Sequence, residues 1–120
     1  MSANRCLPFE RYAMPLRNIP ERPTPLASLV TCRAGQVASR AFCSGDATDF
    51  MILACADGEG VSEEAYLGDT LYVLVEGRAA IVVAGEALEL SCGDCVKVPA
   101  HTEHALEGRG AFKVLQMTVA

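Results

Sequence analysis

Two glycine-bounded stretches decide how this sequence folds. The first runs from Gly58 to Gly77 and reads GEGVSEEAYLGDTLYVLVEG, and the second runs from Gly93 to His104 and reads GDCVKVPAHTEH. In each stretch a glycine turn leads into a short apolar strand, and the second stretch also has a proline turn at Pro99 before its final histidine. Glycine permits the backbone conformations of tight turns and proline cannot donate a ladder hydrogen bond, so both residues mark strand ends. The stretches therefore predict short strands joined by tight turns.

Similar short runs surround these stretches. We expect tight turns at residues 77–78, where a hairpin would join two strands, and at residues 108–110. Residues 49–56 form a continuous apolar run that is too short for a free-standing helix, which predicts a strand buried on both faces. The expected strands cover residues 36–43, 49–56, 71–76, 79–83, 87–90, 95–98, 104–106 and 112–119. About eight short, regularly spaced strands with almost no helical period predict an all-β barrel or sandwich.

Length and composition indicate one globular domain. The chain has 120 residues, of which 51% are apolar, and this is typical of a folded protein with a single core. No apolar run approaches the roughly 18 residues that a membrane span needs. The N-terminal residues lack the apolar segment of a signal peptide. We therefore expect a cytoplasmic protein with no membrane partner, whose six cysteines remain thiols.

Charge is distributed unevenly along the chain. Residues 1–40 carry six arginines against two glutamates, whereas residues 41–120 carry four basic residues against thirteen acidic ones. An acidic body does not support nucleic-acid binding, because neutralising phosphates requires clustered cations. We expect the basic N-terminal segment to pack on its own acidic barrel or on that of a partner.

The first 25 residues are predicted to form an extended arm, and residues 26–120 the barrel domain. Residues 1–25 contain five prolines and no sustained periodicity, which disfavours a helix. Exposed strand edges favour pairing, and two-fold pairing is the commonest assembly. We predict a homodimer whose interface includes part of residues 5–25, so that deletion of residues 1–25 should weaken the dimer in light scattering.

The two motifs resemble those of the cupin superfamily. Gly77 lies seven positions after Thr70, as the first cupin motif requires, and Gly93, Pro99 and His104 fall on the second motif without a gap. The resemblance covers about residues 26–119 and is to the small single-domain cupins of the cupin 2 type. It implies a double-stranded β-helix, or jelly-roll, barrel that gathers ligands on its inner wall.

The metal-binding part of the first motif is degenerate. Glu64 and Tyr66 stand at the positions of its two histidines, Thr70 stands at the position of its glutamate, and only His104 remains of the four usual ligands. Two ligands make a weak site, so we predict no metal cofactor. If a divalent transition metal did bind, Glu64 and His104 would hold it. The favoured alternative is a buried hydrogen bond from His104 to Glu64, a pair that could act as acid and base.

Strand alternation predicts a polar patch on the inner wall. Tyr72 lies two residues after Thr70 and so shares its face. The predicted ligand pocket consists of Glu64, Tyr66, Thr70, Tyr72 and His104. Two phenols, a hydroxyl, a carboxylate and an imidazole in an apolar lining suit a small ligand with polar and apolar parts. The alternative is that the tyrosines simply fill the barrel.

Two other polar residues near the motifs are expected in solvent. His101 occupies a corner where the motif usually has glycine, which places it in a turn at the mouth of the barrel. Asp69 lies in the loop that precedes a strand and is expected to be a solvated charge.

The cysteines are expected to be structural. Cys92 and Cys95 form a CxxC pair, but one pair is a weak zinc signal, and a strand–turn–strand context is not that of thioredoxin-like motifs. We expect Cys95 to behave as a small buried hydrophobe in a strand. Cys32, Cys43 and Cys55 have apolar neighbours and are predicted to lie in the core.

These observations favour a cupin that binds a small molecule inside the barrel without a metal. The first alternative is a metal-dependent dioxygenase or isomerase that uses Glu64 and His104. The second is a structural or interaction barrel with a filled interior. The sequence does not decide whether the protein is an enzyme, because one fold hosts many functions.

Overall fold

The computed structural model describes residues 15–45 and 47–120, and nearly all of its regular structure is β-strand. One short 3₁₀ helix, Leu26–Leu29, precedes the strands. The strands are β1 (Val37–Ser44), β2 (Thr48–Cys55), β3 (Gly60–Glu64), β4 (Asp69–Val83), β5 (Glu86–Leu90), β6 (Cys95–Val98) and β7 (His104–Val119). The prediction of an all-β barrel is confirmed, with seven strands in the described residues where the sequence suggested about eight.

Two long strands organise the barrel. The sheet has the order β1-β2-β7-β4-β5, while β3 also pairs with β7 and β6 also pairs with β4. Every pairing is antiparallel. Because β4 and β7 each pair with different strands along their two halves, the sheet bends around a shared interior.

The predicted hairpin at residues 77–78 is wrong. β4 runs through this point without reversing, and its register against β7 shifts between Gly77 and Ala79. Gly77 has φ +82°, and a Cβ atom there would lie 2.3 Å from the carbonyl oxygen of Ala111. Glycine is therefore required for a β-bulge with close backbone approach, rather than for a chain reversal.

The turn predicted at residues 108–110 is wrong for the same reason. β7 continues through it, pairing Gly108 with Ala79 and Phe112 with Gly77, so the two irregular segments face each other. The true hairpin of this region joins β4 to β5 through Ala84 and Gly85, which have φ +51° and +81°. Positive φ at both central residues is the signature of the turns that suit a two-residue hairpin.

Alternation along the strands creates two apolar clusters. The first fills the barrel interior and includes Leu53, Tyr72, Leu74, Phe112 and Val114. The second lies on the other face of the sheet, where Leu29 and Val30 cover Phe42, Ile52 and Ala54. Four consecutive residues of β2, from position 52 to 55, are buried, which confirms a strand buried on both faces.

Part of the predicted arm is described, and it contacts an edge strand. Residues 15–25 form neither helix nor strand, but the Arg17 amide donates to the Phe42 carbonyl over 2.9 Å. The Asn18 side-chain amide donates to the Ala41 carbonyl over 2.7 Å. Residues 1–14 lie outside the described residues, so the division into arm and barrel and the dimer through the arm stay predictions.

No helix in the described part of the chain is long and apolar enough to cross a membrane.

Candidate functional site

Four of the five predicted site residues meet at one end of the barrel. Tyr72 lies on β4, His104 begins β7, Glu64 ends β3, and Tyr66 lies in the loop between β3 and β4. The register pairs Glu64 with His104. This arrangement joins the two sequence motifs, because β3 and β7 are neighbours in the sheet.

Backbone contacts fix the loops that carry these side chains. The His101 amide donates to the Tyr66 carbonyl over 2.7 Å, and His101 itself has φ +64°. Glycine adopts this left-handed conformation readily, which is why the motif usually has glycine at this position. Asp69 is exposed but not merely solvated, because its Oδ1 accepts a 2.9 Å hydrogen bond from the Ala100 amide. His101 is exposed in the turn, as predicted.

The buried centre of the site is the contact between His104 and Tyr72. Their relative exposures are 3% and 1%, and the Tyr72 hydroxyl lies 2.7 Å from His104 Nε2. On the other side of the ring, Nδ1 lies 2.9 Å from the Thr102 carbonyl oxygen. A carbonyl only accepts, so Nδ1 carries the proton and donates. In the neutral imidazole Nε2 then accepts a hydrogen bond from the Tyr72 hydroxyl.

Tyr66 and Glu64 extend this contact toward solvent. The Tyr66 hydroxyl donates to Glu64 Oε1, and Tyr66 lies close enough to Tyr72 to raise the pKa of that phenol. The Tyr66 and Tyr72 rings each meet the His104 ring edge-on, with centroids 5.7 Å and 5.5 Å away. We call Glu64, Tyr66, Tyr72 and His104 the hydrogen-bonded chain.

Burial and negative charge keep both phenols protonated. The pKa of Tyr72 is raised first by burial, then by the charges of Tyr66 and Glu64. The pKa of Tyr66 is raised by burial, then by its hydrogen bond to Glu64. Both tyrosines are therefore neutral hydrogen-bond donors at neutral pH.

The predicted direct hydrogen bond between His104 and Glu64 is wrong. Both nitrogens of the His104 ring are engaged, by Tyr72 and by Thr102, and Glu64 is an exposed side chain bound by Tyr66. The two bulky phenols lie between the imidazole and the carboxylate, so their backbone pairing does not bring the charged groups together. Tyr66 and Tyr72 instead connect them.

Thr70 lies on the same inner face but hydrogen bonds elsewhere. Its hydroxyl is 2.9 Å from that of Thr118, and the residue is 1% exposed. Sequence reasoning missed Gln116, which is 6% exposed and hydrogen bonded to the Tyr66 hydroxyl. The alternation of inward and outward side chains along β7 could have identified Gln116, because it shares the inward face of Val114.

An inner cleft of about 330 Å³ opens beside Tyr66. Its walls are mostly apolar, and its polar groups converge from β2, β3 and β7. The lining residues are Val37, Asp49, Met51, Leu53, Val61, Glu64, Tyr66, Gln116 and Thr118. Two of the five predicted pocket residues, Glu64 and Tyr66, reach this cleft, whereas Tyr72 and His104 support Tyr66 from behind.

The residues present do not fit the transition-metal site that the cupin pattern implies. Neither ring nitrogen of His104 is available without breaking its hydrogen bond to Tyr72 or Thr102. In the described ranges, no three or more histidine, cysteine, aspartate or glutamate side chains are grouped to hold a metal ion. A transition-metal site with open positions usually has about three protein ligands.

The described cysteines divide into buried and exposed groups. Cys43 and Cys55 are buried and Cys32 is partly buried, which confirms their place in the core. Burial raises the pKa of Cys55 to about 11, with smaller contributions from Cys32 and Glu59. The expectation that Cys95 is a buried hydrophobe is wrong: it lies on β6 but is exposed, as is Lys97 on the same side of the strand.

Known structures identify the family. A cupin superfamily protein from Desulfitobacterium hafniense is 47% identical, with 87% of this chain and 96% of that chain covered and a TM-score of 0.84. A conserved protein of unknown function from Streptococcus pyogenes is 23% identical over 88% of this chain and 93% of its own, also with a TM-score of 0.84. No protein-family model matches the sequence, and no curated protein does.

The fold, its glycine-marked strands and the extent of this similarity place the chain in the cupin superfamily. The chain covers nearly the full length of the Desulfitobacterium protein. Salicylate 1,2-dioxygenase from Pseudoaminobacter salicylatoxidans is also similar, at 22% identity and a TM-score of 0.65 over 72% of this chain and 25% of that one. That likeness concerns the fold alone.

Proposed function

We propose that this cupin binds a small molecule in the inner cleft, without a transition metal. The observation that carries the proposal is the cleft of about 330 Å³ beside the Tyr66 hydroxyl. Apolar walls with a few convergent polar groups are the usual form of a small-ligand site, and this volume lies within the usual range. The hydrogen-bonded chain supports this role, because it holds Tyr66 at the cleft in one orientation.

The donor set supports binding without a metal. Tyr72 and Thr102 occupy the imidazole of His104, and Glu64 is engaged by Tyr66. A metal that used Glu64 and His104 would have to displace the hydrogen bond of the imidazole to Tyr72 or to Thr102. The metal-dependent alternative therefore requires a rearranged site, whereas ligand binding in the cleft requires none.

A blocking substitution tests the proposal. Val37 lines the cleft and is 40% exposed, so Val37→Phe can fill the cleft without opening the core. Val119→Phe is the matched control, because Val119 is also on a strand and 51% exposed but does not line the cleft. With benzyl alcohol as probe, NMR shifts of the Met51 and Leu53 methyls should change in the wild type and in Val119→Phe. Val37→Phe should weaken binding at least about tenfold by steric exclusion.

Two other outcomes would select the alternatives. If benzyl alcohol leaves the Met51 and Leu53 methyls unchanged, the interior is closed and the protein is a filled structural barrel. Elemental analysis of protein purified without chelator should find less than one first-row transition metal per chain. Stoichiometric metal that disappears in His104→Ala would favour the metalloenzyme.

A further inference from the structure

The inner cleft combines apolar walls with two carboxylates. Asp49 lies on β2, on the same inward face as Met51 and Leu53, and Glu64 lies at the end of β3. Both are exposed at the opening of the cleft. Among the residues that the structure describes, lysine and arginine are absent from its lining.

Neither carboxylate is neutralised within the described residues. The ion pairs found there involve Arg109 with Glu89 and Glu107, and Lys113 with Glu76. Glu64 accepts a hydrogen bond from the neutral Tyr66 hydroxyl, which holds its carboxylate beside the cleft but leaves its charge in place. Clefts lined by one sign of charge with apolar walls concentrate the field and attract ligands of the opposite sign.

Groups behind the carboxylates make this a formed site rather than a patch of surface acids. Gln116 is 6% exposed and hydrogen bonded to the Tyr66 hydroxyl. Tyr66 also packs edge-on against the His104 ring. An aromatic ring beside a cavity attracts cations through its π face, which adds to the carboxylates' effect.

From this arrangement we infer that the cleft selects ligands with an apolar body and a positively charged ammonium group, and disfavours carboxylates. The inference rests on the proposed function and specifies its ligand class. The apolar body would pack on Met51, Leu53 and Val61, and the ammonium group would lie between Asp49 and Glu64. An anionic ligand would meet two like charges without a cation to offset them.

Three probes of nearly equal size test the charge preference. Benzylamine, benzyl alcohol and benzoate share the same ring and differ mainly in charge. At neutral pH and low salt, benzylamine should bind about fivefold more tightly than benzyl alcohol, as partly exposed charge pairs usually allow. Benzoate should bind most weakly. The preference for benzylamine should fall as salt is added.

Variants of the two carboxylates test whether the preference for benzylamine depends on the charge of the cleft or on its shape. The double variant Asp49→Asn, Glu64→Gln should bind benzylamine and benzyl alcohol with equal affinity. Glu63→Gln is the matched control, because Glu63 is exposed on β3 but does not line the cleft, and it should retain the preference.

The outcomes distinguish the two proposals. Equal affinity of the wild type for benzylamine and benzyl alcohol, or a preference that survives in the double variant, would overturn the inference and leave ligand binding intact. Failure of all three probes to bind would overturn the proposed function, and the inference with it. Displacement of benzylamine by calcium ions would overturn the ammonium assignment in favour of a metal ion between the carboxylates.

Discussion

The two ends of the hydrogen-bonded chain differ in burial and in the number of partners they hold. At the inner end His104 and Tyr72 are 3% and 1% exposed, and both ring nitrogens of His104 are engaged. At the outer end Glu64 is exposed, and its carboxylate faces the cleft. The inner end is thus a structural support, and the outer end is available to a ligand.

This difference indicates a structural role for the motif histidine. A buried imidazole needs partners for both nitrogens, since an unpaired polar group in the core is costly. Tyr72 and Thr102 supply them. Among the described residues, no buried side-chain nitrogen or oxygen lacks a partner. The contacts of His104 therefore indicate a structural role in the barrel, whereas the proposed selectivity depends on Glu64.

The largest expected effect is a loss of folding stability when the His104 side chain at the inner end is removed. His104→Ala removes a buried ring and leaves the Tyr72 hydroxyl without its acceptor. The free energy of unfolding should fall by about 2–4 kcal/mol, from the cavity and the unpaired hydroxyl together. Urea denaturation monitored by circular dichroism measures this change.

The same measurement at the outer end provides the control. Glu64→Gln keeps an oxygen that can accept from Tyr66 and alters an exposed residue, so the free energy of unfolding should change by less than about 0.5 kcal/mol. If His104→Ala were as stable as Glu64→Gln, the buried end would have no structural role and the contrast between the two ends would fail.

A smaller effect is expected in the pH dependence of stability. The pKa of Cys55 is raised to about 11 from an ordinary value of 9.0, and that of Tyr72 is raised above an ordinary 10.0. Above these ordinary values the unfolded chain loses protons that the folded protein keeps. Stability should therefore decrease as pH rises above about 9, by up to about 1.4 kcal/mol per pH unit for each group.

Variants test whether the buried groups cause the loss of folding stability at alkaline pH. Cys55→Ala should reduce the pH dependence of the urea midpoint between pH about 9 and about 11, and Tyr72→Phe should reduce it above pH about 10. Both comparisons use the slope of the urea midpoint against pH, which does not depend on how much stability each substitution removes at neutral pH. A slope unchanged in both variants would show that these buried groups do not control alkaline stability.

The fold could be predicted from the sequence because strand periodicity and glycine positions are local signals. The pattern identified β2 as buried on both faces, and it marked Gly77 as a special backbone position. It could not tell a bulge from a hairpin, since both use glycine with nearly the same φ, +82° and +81°. The distinction lies in the partner strand: at Gly77 the backbone of β7 is in contact, whereas nothing lies within 4 Å of a Cβ at Gly85.

The sequence indicated that four of the candidate residues lie close together, but it did not indicate the contacts between them. Motif positions and alternation named Glu64, Tyr66, Tyr72 and His104, and the structure brings these four together. The order of contacts depends on side-chain rotamers and on the Thr102 carbonyl, which a motif does not encode. Asp49 was not predicted because it is distant in sequence from the two motifs. Only the pairing of β2 with β7 brings it to the cleft.

The smallest expected effect is a shift in the titration of one phenol. The charge of Glu64 and its hydrogen bond both raise the pKa of Tyr66, so Glu64→Gln should make this phenol titrate at lower pH. The phenolate absorbance band records the titration, and Tyr66→Phe identifies which transition belongs to Tyr66. Glu63→Gln should leave the transition in place, because Glu63 makes none of these contacts and removes the same charge from the adjacent position. An unchanged Tyr66 transition in Glu64→Gln would mean that the Glu64 carboxylate does not contact the Tyr66 phenol in solution. The outer end of the hydrogen-bonded chain would then have no fixed orientation toward the cleft.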